Sequence, residues 1–229
     1  MRLAATRAAA YLPLFNGQGH PDDQSSSDRS SALGPASVSN QITGELIDAL
    51  RQNEPGVEVV TRDVGAHPLP HLAPERMAAL SGNTQTPETA ETARYLDAVL
   101  AEVEAAEVIV IGSPMYNFGI TSTLKVWFDH LLRAGKTFRY TANGPEGLLT
   151  GKRAIVVEAR GGVYTSGPAA PSDHQEPHLR SLLGFVGITD QIFVRAEGLA
   201  ISPESRAASV EAALDEVRQI APRFAKVAA

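Results

Sequence analysis

The chain has 229 residues, 43% apolar and 20% charged, with a formal net charge of −6 and a pI near 5.5. This acidic balance argues against nucleic-acid or anionic-membrane partners. The absence of cysteine excludes disulfides, thiolate metal sites and a cysteine nucleophile. No apolar stretch approaches the ~20 residues of a membrane span, and the length suits one α/β unit.

The chain opens with MRLAATRAAAYLPLF, whose apolar run is interrupted by Arg7, and continues with the polar NGQGHPDDQSSSDRSS. This fits neither a secretory signal nor an organellar transit peptide. Residues 1–28 read as an atypical or mobile extension, and residues 29–229 as the domain. From Asn40 the pattern becomes regular. SNQITGELIDALRQ has helical spacing at Ile42, Leu46, Ile47 and Leu50. VEVVTRDV alternates and reads as a strand, and GAHPLPHLAPE as a Pro-rich loop. TPETAETARYLDAVLAEVEAA reads as a helix with Thr86 as N-cap and Pro87 at its first position. EVIVIG is a short continuous apolar run, as in a strand buried on both faces.

SPMYNFGITSTLKVWFDHLLRAG then leaves that strand and enters a helix with Leu124, Trp127, Phe128, Leu131 and Leu132 on one face. KTFRYTANGPEGLLTG reads as an extended excursion with a turn at NGPEG. KRAIVVEARGG is a second buried strand, EPHLRSLLGFVG a helix, ITDQIFVRAEGL a strand, and SPESRAASVEAALDEVRQIA a capped closing helix. This alternation predicts a parallel sheet with helices on both faces.

Ligands of such sheets bind beyond the carboxyl ends of the strands. Three segments are unusual there. SSALGPASVSNQ offers the hydroxyls of Ser31, Ser37 and Ser39 and free N–H groups at a helix N-terminus, which suit a phosphate. PMYNF places Tyr, Asn and Phe at a strand tip, where a flat ligand with a polar edge would find both kinds of contact. ARGGV carries paired glycines that let backbone approach a ligand closely. Other motifs fail. G-x-G-x-x-G and G-x-S-x-G are missing. GLLTGKR departs from P-loop spacing, and HQEPH contains Pro177 and an acid out of place for zinc. His130 reads as a packed or surface residue.

The block SPMYNFGITSTLKVWFDHLLRAGKTFRYTANGPEGLLTGKRAIVVEARGGVYTSGPA, together with LLGFVGITD and VRAEGLA, closely resembles the FMN-dependent NADH-azoreductase family of flavodoxin-like quinone reductases. The resemblance spans roughly residues 30–220. It implies a flavodoxin-like, doubly wound, five-stranded parallel sheet of order 2-1-3-4-5, and a cytoplasmic homodimer with one FMN per subunit. It also implies ping-pong transfer of two electrons from NADH to a quinone or an azo compound. By similarity, Ser31, Ser37, Val38 and Ser39 would bind the FMN phosphate. Met115, Tyr116, Asn117 and Phe118 would line the isoalloxazine. Ala159, Arg160, Gly161 and Gly162 would hold its pyrimidine end, with Tyr164 nearby. Hydride chemistry belongs to the cofactor, so no side chain is expected as obligatory acid or base.

Two positions depart from the family pattern. Ala159 stands where a hydroxyl residue is common, which leaves backbone contacts intact. The place of a central first strand, just before the phosphate loop, holds DDQSSSDR, which cannot be a buried strand. Either Ala8–Phe15 supplies that strand, with Pro13 awkward inside it, or the strand is degraded and FMN binding suffers. The leading expectation is an NADH:quinone oxidoreductase with azoreductase activity. The alternatives are a flavodoxin-like electron carrier and a flavin-free remnant of the family.

Overall fold

A computed structural model describes residues 8–11, 30–82 and 84–224. A parallel sheet of order β2-β1-β3-β6-β7 is built from β1 (Ala8–Tyr11), β2 (Glu58–Val60), β3 (Ala106–Pro114), β6 (Arg153–Ala159) and β7 (Asp190–Ala196). A separate antiparallel hairpin pairs β4 (Phe138–Thr141) with β5 (Gly144–Gly147). The helices are α1 (Val38–Asn53), α2 (Pro74–Leu80), α3 (Pro87–Ala105), α4 (Ser122–Leu131), α5 (Glu176–Phe185) and α6 (Pro203–Ile220).

The two central strands alternate between two cores. Ile109, Ile111, Ala154 and Val156 join the cluster that holds Leu100 and Val103 of α3, Trp127 and Phe128 of α4 and Leu183 of α5. Val110, Ile155 and Val157 join the cluster of Ile42 and Leu46 of α1 with Leu214 and Val217 of α6. Both faces of the sheet are therefore covered by helices, which is why these strands read as unbroken apolar runs. Among the described residues, no helix is long and apolar enough to cross a membrane.

Of the two alternatives for the first strand, the structure has Ala8–Tyr11 in the sheet between β2 and β3, with Ala9 opposite Val59 on one side and Val108 on the other. Leu12–Phe15 and the polar segment up to residue 29 lie outside the described residues. β2 is shorter than the alternation in VEVVTRDV predicts. Asp63 ends it by accepting Gly65 N at 2.8 Å and Ala66 N at 2.7 Å, and buried Arg62 turns to Glu102 on α3, with Nε 2.8 Å away. The expected Pro-rich loop contains the start of α2, because Pro74 sits at a first helical position that tolerates proline. In the excursion the chain turns at Ala142–Asn143, and Gly144–Gly147, expected within the turn, forms a strand instead. Gly147 lies so close to the backbone of Val186 and Gly187 that a Cβ there would come within 2.1 Å of Gly187 N, so only glycine lets the hairpin dock.

Candidate functional site at the carboxyl edge of the sheet

Direct hydrogen bonds bring the three loops expected at this edge together. Ser30 Oγ donates to Gly112 O at the end of β3. Ala32 N donates to Tyr116 Oη at 3.1 Å, and Ser31 Oγ lies 3.4 Å from the same hydroxyl. Met115 N donates to Ala159 O at 2.8 Å, joining the tips of β3 and β6.

Each loop presents unengaged backbone donors. Ser37 caps α1, its Oγ accepting Asn40 N at 3.4 Å and lying 3.0 Å from Ser39 Oγ. The N–H groups of Val38 and Ser39, in the first turn, have no acceptor among the described residues. Ser31, Ser37 and Ser39 are buried. The paired hydroxyls of Ser37 and Ser39 beside orphan helical N–H groups have the chemistry of an anion cradle.

At the second loop Asn117 (φ 49°) and Phe118 (φ 72°) adopt left-handed backbone, the described non-glycine residues that do so. Such conformations are costly, more so for Phe than for Asn, and gather where function requires them. A bridge between Tyr116 and Gly119 and the bond from His174 N to Phe118 O at 3.0 Å hold this loop. Phe118 is exposed, and its ring and that of Tyr164 form a T-shaped pair with centroids 6.2 Å apart. In the third loop the N–H groups of Gly161 and Gly162 also lack acceptors among the described residues. A Cβ on Gly162 would meet the Tyr164 ring at 3.1 Å, so a side chain there would displace the ring.

Arg160 differs from its expected part as a ligand contact. Its side chain is fully buried and faces protein acceptors throughout: Gln175 Oε1 (3.0 Å), Glu197 Oε1 (3.0 Å), Asp173 (3.1 Å), Glu158 Oε2 (2.7 Å) and Glu176 (3.7 Å). Its backbone N–H and carbonyl are engaged with Ala196 and Leu199. Arg160 organises the edge and leaves the open donors to the glycines. Sequence reading passed over Glu158, Asp173, Gln175 and Glu197. A glutamate inside the apolar AIVVEA was the available signal, since a buried charge requires a partner.

The cluster sets the guanidiniums of Arg160, Arg180 and Arg195 against the carboxyls of Glu158, Asp173, Glu176 and Glu197, one negative charge in excess when all four are ionised. Burial pushes the Glu158 carboxyl up to about 8; Arg160 opposes the shift and Glu176 adds to it. Glu176 is also partly buried, but hydrogen bonds from Arg195 and Arg180 outweigh desolvation and hold it at about 2. The signs are opposite. Glu176 adds stability that is present above about 4.5 and lost as pH falls toward 2. Glu158 favours the folded state below about 4.5, and that contribution is lost as pH rises through about 8. Glu158→Gln, which mimics the protonated carboxyl, is therefore expected to gain on the wild type by a few kcal/mol between pH 5 and 9. Melting temperatures across that range check this, and parallel pH profiles would contradict it.

A further cleft of about 410 Å³, lined by Pro70, Arg76, Glu88, Glu91, Thr92, Tyr95 and His130, contains none of the residues gathered at the sheet edge. His130 is buried, and burial lowers its pKa.

An open parallel sheet covered on both faces, with an anion cradle and two donor loops at its carboxyl edge, defines a flavodoxin-like protein. Residues 29–221 match the family described as flavodoxin-like fold, Flavodoxin_2. The chain is 46% identical over 200 residues to an FMN-dependent NADH:quinone oxidoreductase of Hyphomonas neptunium, covering 87% of this chain and 96% of that protein. It is 51% identical over 190 residues to one of Xanthomonas oryzae pv. oryzae, covering 82% and 92%. An FMN-dependent NADH-azoreductase of Bacillus anthracis, solved with FMN, superposes with a TM-score of 0.80 at 25% identity, over 96% of this chain and 100% of that one. The chain belongs to this FMN-dependent NADH-azoreductase family of flavodoxin-like NADH:quinone oxidoreductases.

Proposed function

We propose that the protein is an FMN-dependent oxidoreductase that carries two electrons from NADH to quinones and reductively cleaves aromatic azo compounds. NADH and the acceptor use the site in turn, in ping-pong order. The observation that carries this reading is the meeting of three donor-bearing loops at one sheet edge, linked through Tyr116 and the Met115–Ala159 bond. When bound, FMN supplies the hydride and two-electron chemistry.

The residues fit that group. Ser31, Ser37, Val38 and Ser39 hold its phosphate with hydroxyls and the N–H groups of α1. Met115, Tyr116, Asn117 and Phe118 line the ring, and the strained backbone at Asn117 and Phe118 turns their N–H groups out of local pairing. Ala159, Gly161 and Gly162 bound the pyrimidine end with Tyr164 beside them, and the glycine N–H groups are the donors there. Arg160 supports this end from below. No side chain is assigned as obligatory acid or base.

In this reading the functional domain is residues 29–229 together with the strand Ala8–Tyr11 of the N-terminal extension, which occupies the second place in a flavodoxin-like 2-1-3-4-5 winding. The protein acts in the cytoplasm as a homodimer. Steady NADH oxidation with a quinone as sole acceptor, retained in Tyr164→Phe, is the expected result. Oxidation that stops after one equivalent of NADH would point to an electron carrier.

A further inference from the structure

Glu197, the residue after β7, gathers donors from the turn that follows β6. Its carboxylate accepts Tyr164 N at 2.9 Å, Thr165 N at 3.2 Å, Thr165 Oγ1 at 2.5 Å and Arg160 Nη1 at 3.0 Å. These bonds outweigh partial burial and hold its pKa below the ordinary glutamate range, so it stays ionised. Arg160 carries the connection onward. Its Nη2 reaches Glu158, and its Nε reaches Gln175, whose amide donates to Ser113 O at 2.7 Å and Ser113 Oγ at 3.0 Å. The ends of β3, β6 and β7 are thus joined beneath the glycine turn.

The segment after Glu197 also runs along this turn. Gly198 N, Leu199 N and Ala200 N donate to the carbonyls of Gly162, Arg160 and Gly161 at 2.9, 3.1 and 2.9 Å. These bonds satisfy the carbonyls of residues 160–162 and leave the Gly161 and Gly162 N–H groups open. A Gly-Gly turn left to itself samples a broad range of conformations, and fixing it on ligand binding would cost entropy. Here Glu197 anchors both sides of the turn, Arg160 before the glycines and Tyr164–Thr165 after them.

We infer that Glu197 is a positioning residue that locks the Gly161–Gly162 turn, so that its two N–H donors stand ready for the pyrimidine end of the flavin. The inference rests on reading this edge as a flavin site. Donors already fixed need no reorganisation when the ligand arrives. The lock belongs to the protein alone and exists before any cofactor binds.

The test uses the full chain and Glu197→Gln, which keeps the shape but turns an amide donor toward donors. In FMN-free protein, the Tyr164 and Thr165 amides are expected to exchange about tenfold faster in the variant. FMN is expected to bind about tenfold more weakly, while the inhibition of FMN binding by inorganic phosphate stays unchanged. That split separates a displaced pyrimidine end from general damage, which would weaken both ligands. Thr165→Val, removing one bond at an exposed position, is expected to shift exchange and FMN affinity in the same direction by about twofold to threefold. Equal amide exchange and equal FMN affinity in Glu197→Gln and wild type would overturn the inference, as would equal weakening of FMN and phosphate. A wild type that protects these amides but binds no FMN would overturn the flavin reading, and with it the role assigned to the lock.

Discussion

Arg160→Met is expected to lower stability by about 3–5 kcal/mol at pH 8, the range for removing one partner of a buried ion pair. The fully buried guanidinium holds Glu158, Asp173 and Glu197 together, and Glu158 is itself fully buried. Methionine fills much of the volume but neutralises none of these carboxylates. Glu158 can relieve part of the excess by taking up a proton, which its raised pKa already favours. The loss should therefore be smaller at pH 5 than at pH 8. Urea denaturation midpoints at the two pH values measure both effects, and an unchanged midpoint at both would mean that the cluster carries no net stability.

Val38→Pro is expected to weaken FMN binding by about tenfold to a hundredfold while leaving the fold intact. Val38 occupies the first position of α1, where proline is tolerated because the missing N–H has no helical partner. Ser37 before it already has extended backbone (φ −76°, ψ 125°), the conformation that a following proline demands. The substitution therefore deletes one N–H donor from the anion cradle and exchanges a buried valine side chain for a proline ring of similar size. A hydrogen bond to a charged group contributes roughly 1.5–3 kcal/mol, which sets the expected factor. Fluorescence titration with FMN, beside a thermal melt, separates the two effects. Undiminished affinity would remove the helix N-terminus from phosphate binding.

What the sequence made legible follows from locality. The buried strands β3 and β6 and the helices α1, α3, α4, α5 and α6 each carry their signal within one window, as periodicity or as a cap such as Thr86 or Ser202. The three loops were visible for the same reason, because each is a short run of residues unlike its neighbours. The shortened β2 was hidden because its end is set by Asp63 and by the pairing of Arg62 with Glu102, forty positions away. The first strand was obscured by its brevity and by the polar stretch that separates it from the loop it serves. The Arg160 cluster was the largest omission. Its members come from β6 and the residue after it, from Asp173 ahead of α5 and Glu176 and Arg180 within it, and from β7 and the residue after it, and only the parallel sheet assembles them. Sequence reading put Arg160 at the right edge but could not tell whether its guanidinium faced a ligand or the protein.

The most direct measurement is a titration of the purified full chain with FMN followed by visible absorption, then addition of NADH with oxygen excluded, then a quinone. The structure predicts a perturbed, protein-bound flavin spectrum that bleaches with NADH and returns with one equivalent of quinone. A chain that keeps the spectrum of free FMN, or binds flavin that NADH does not bleach, would contradict the account.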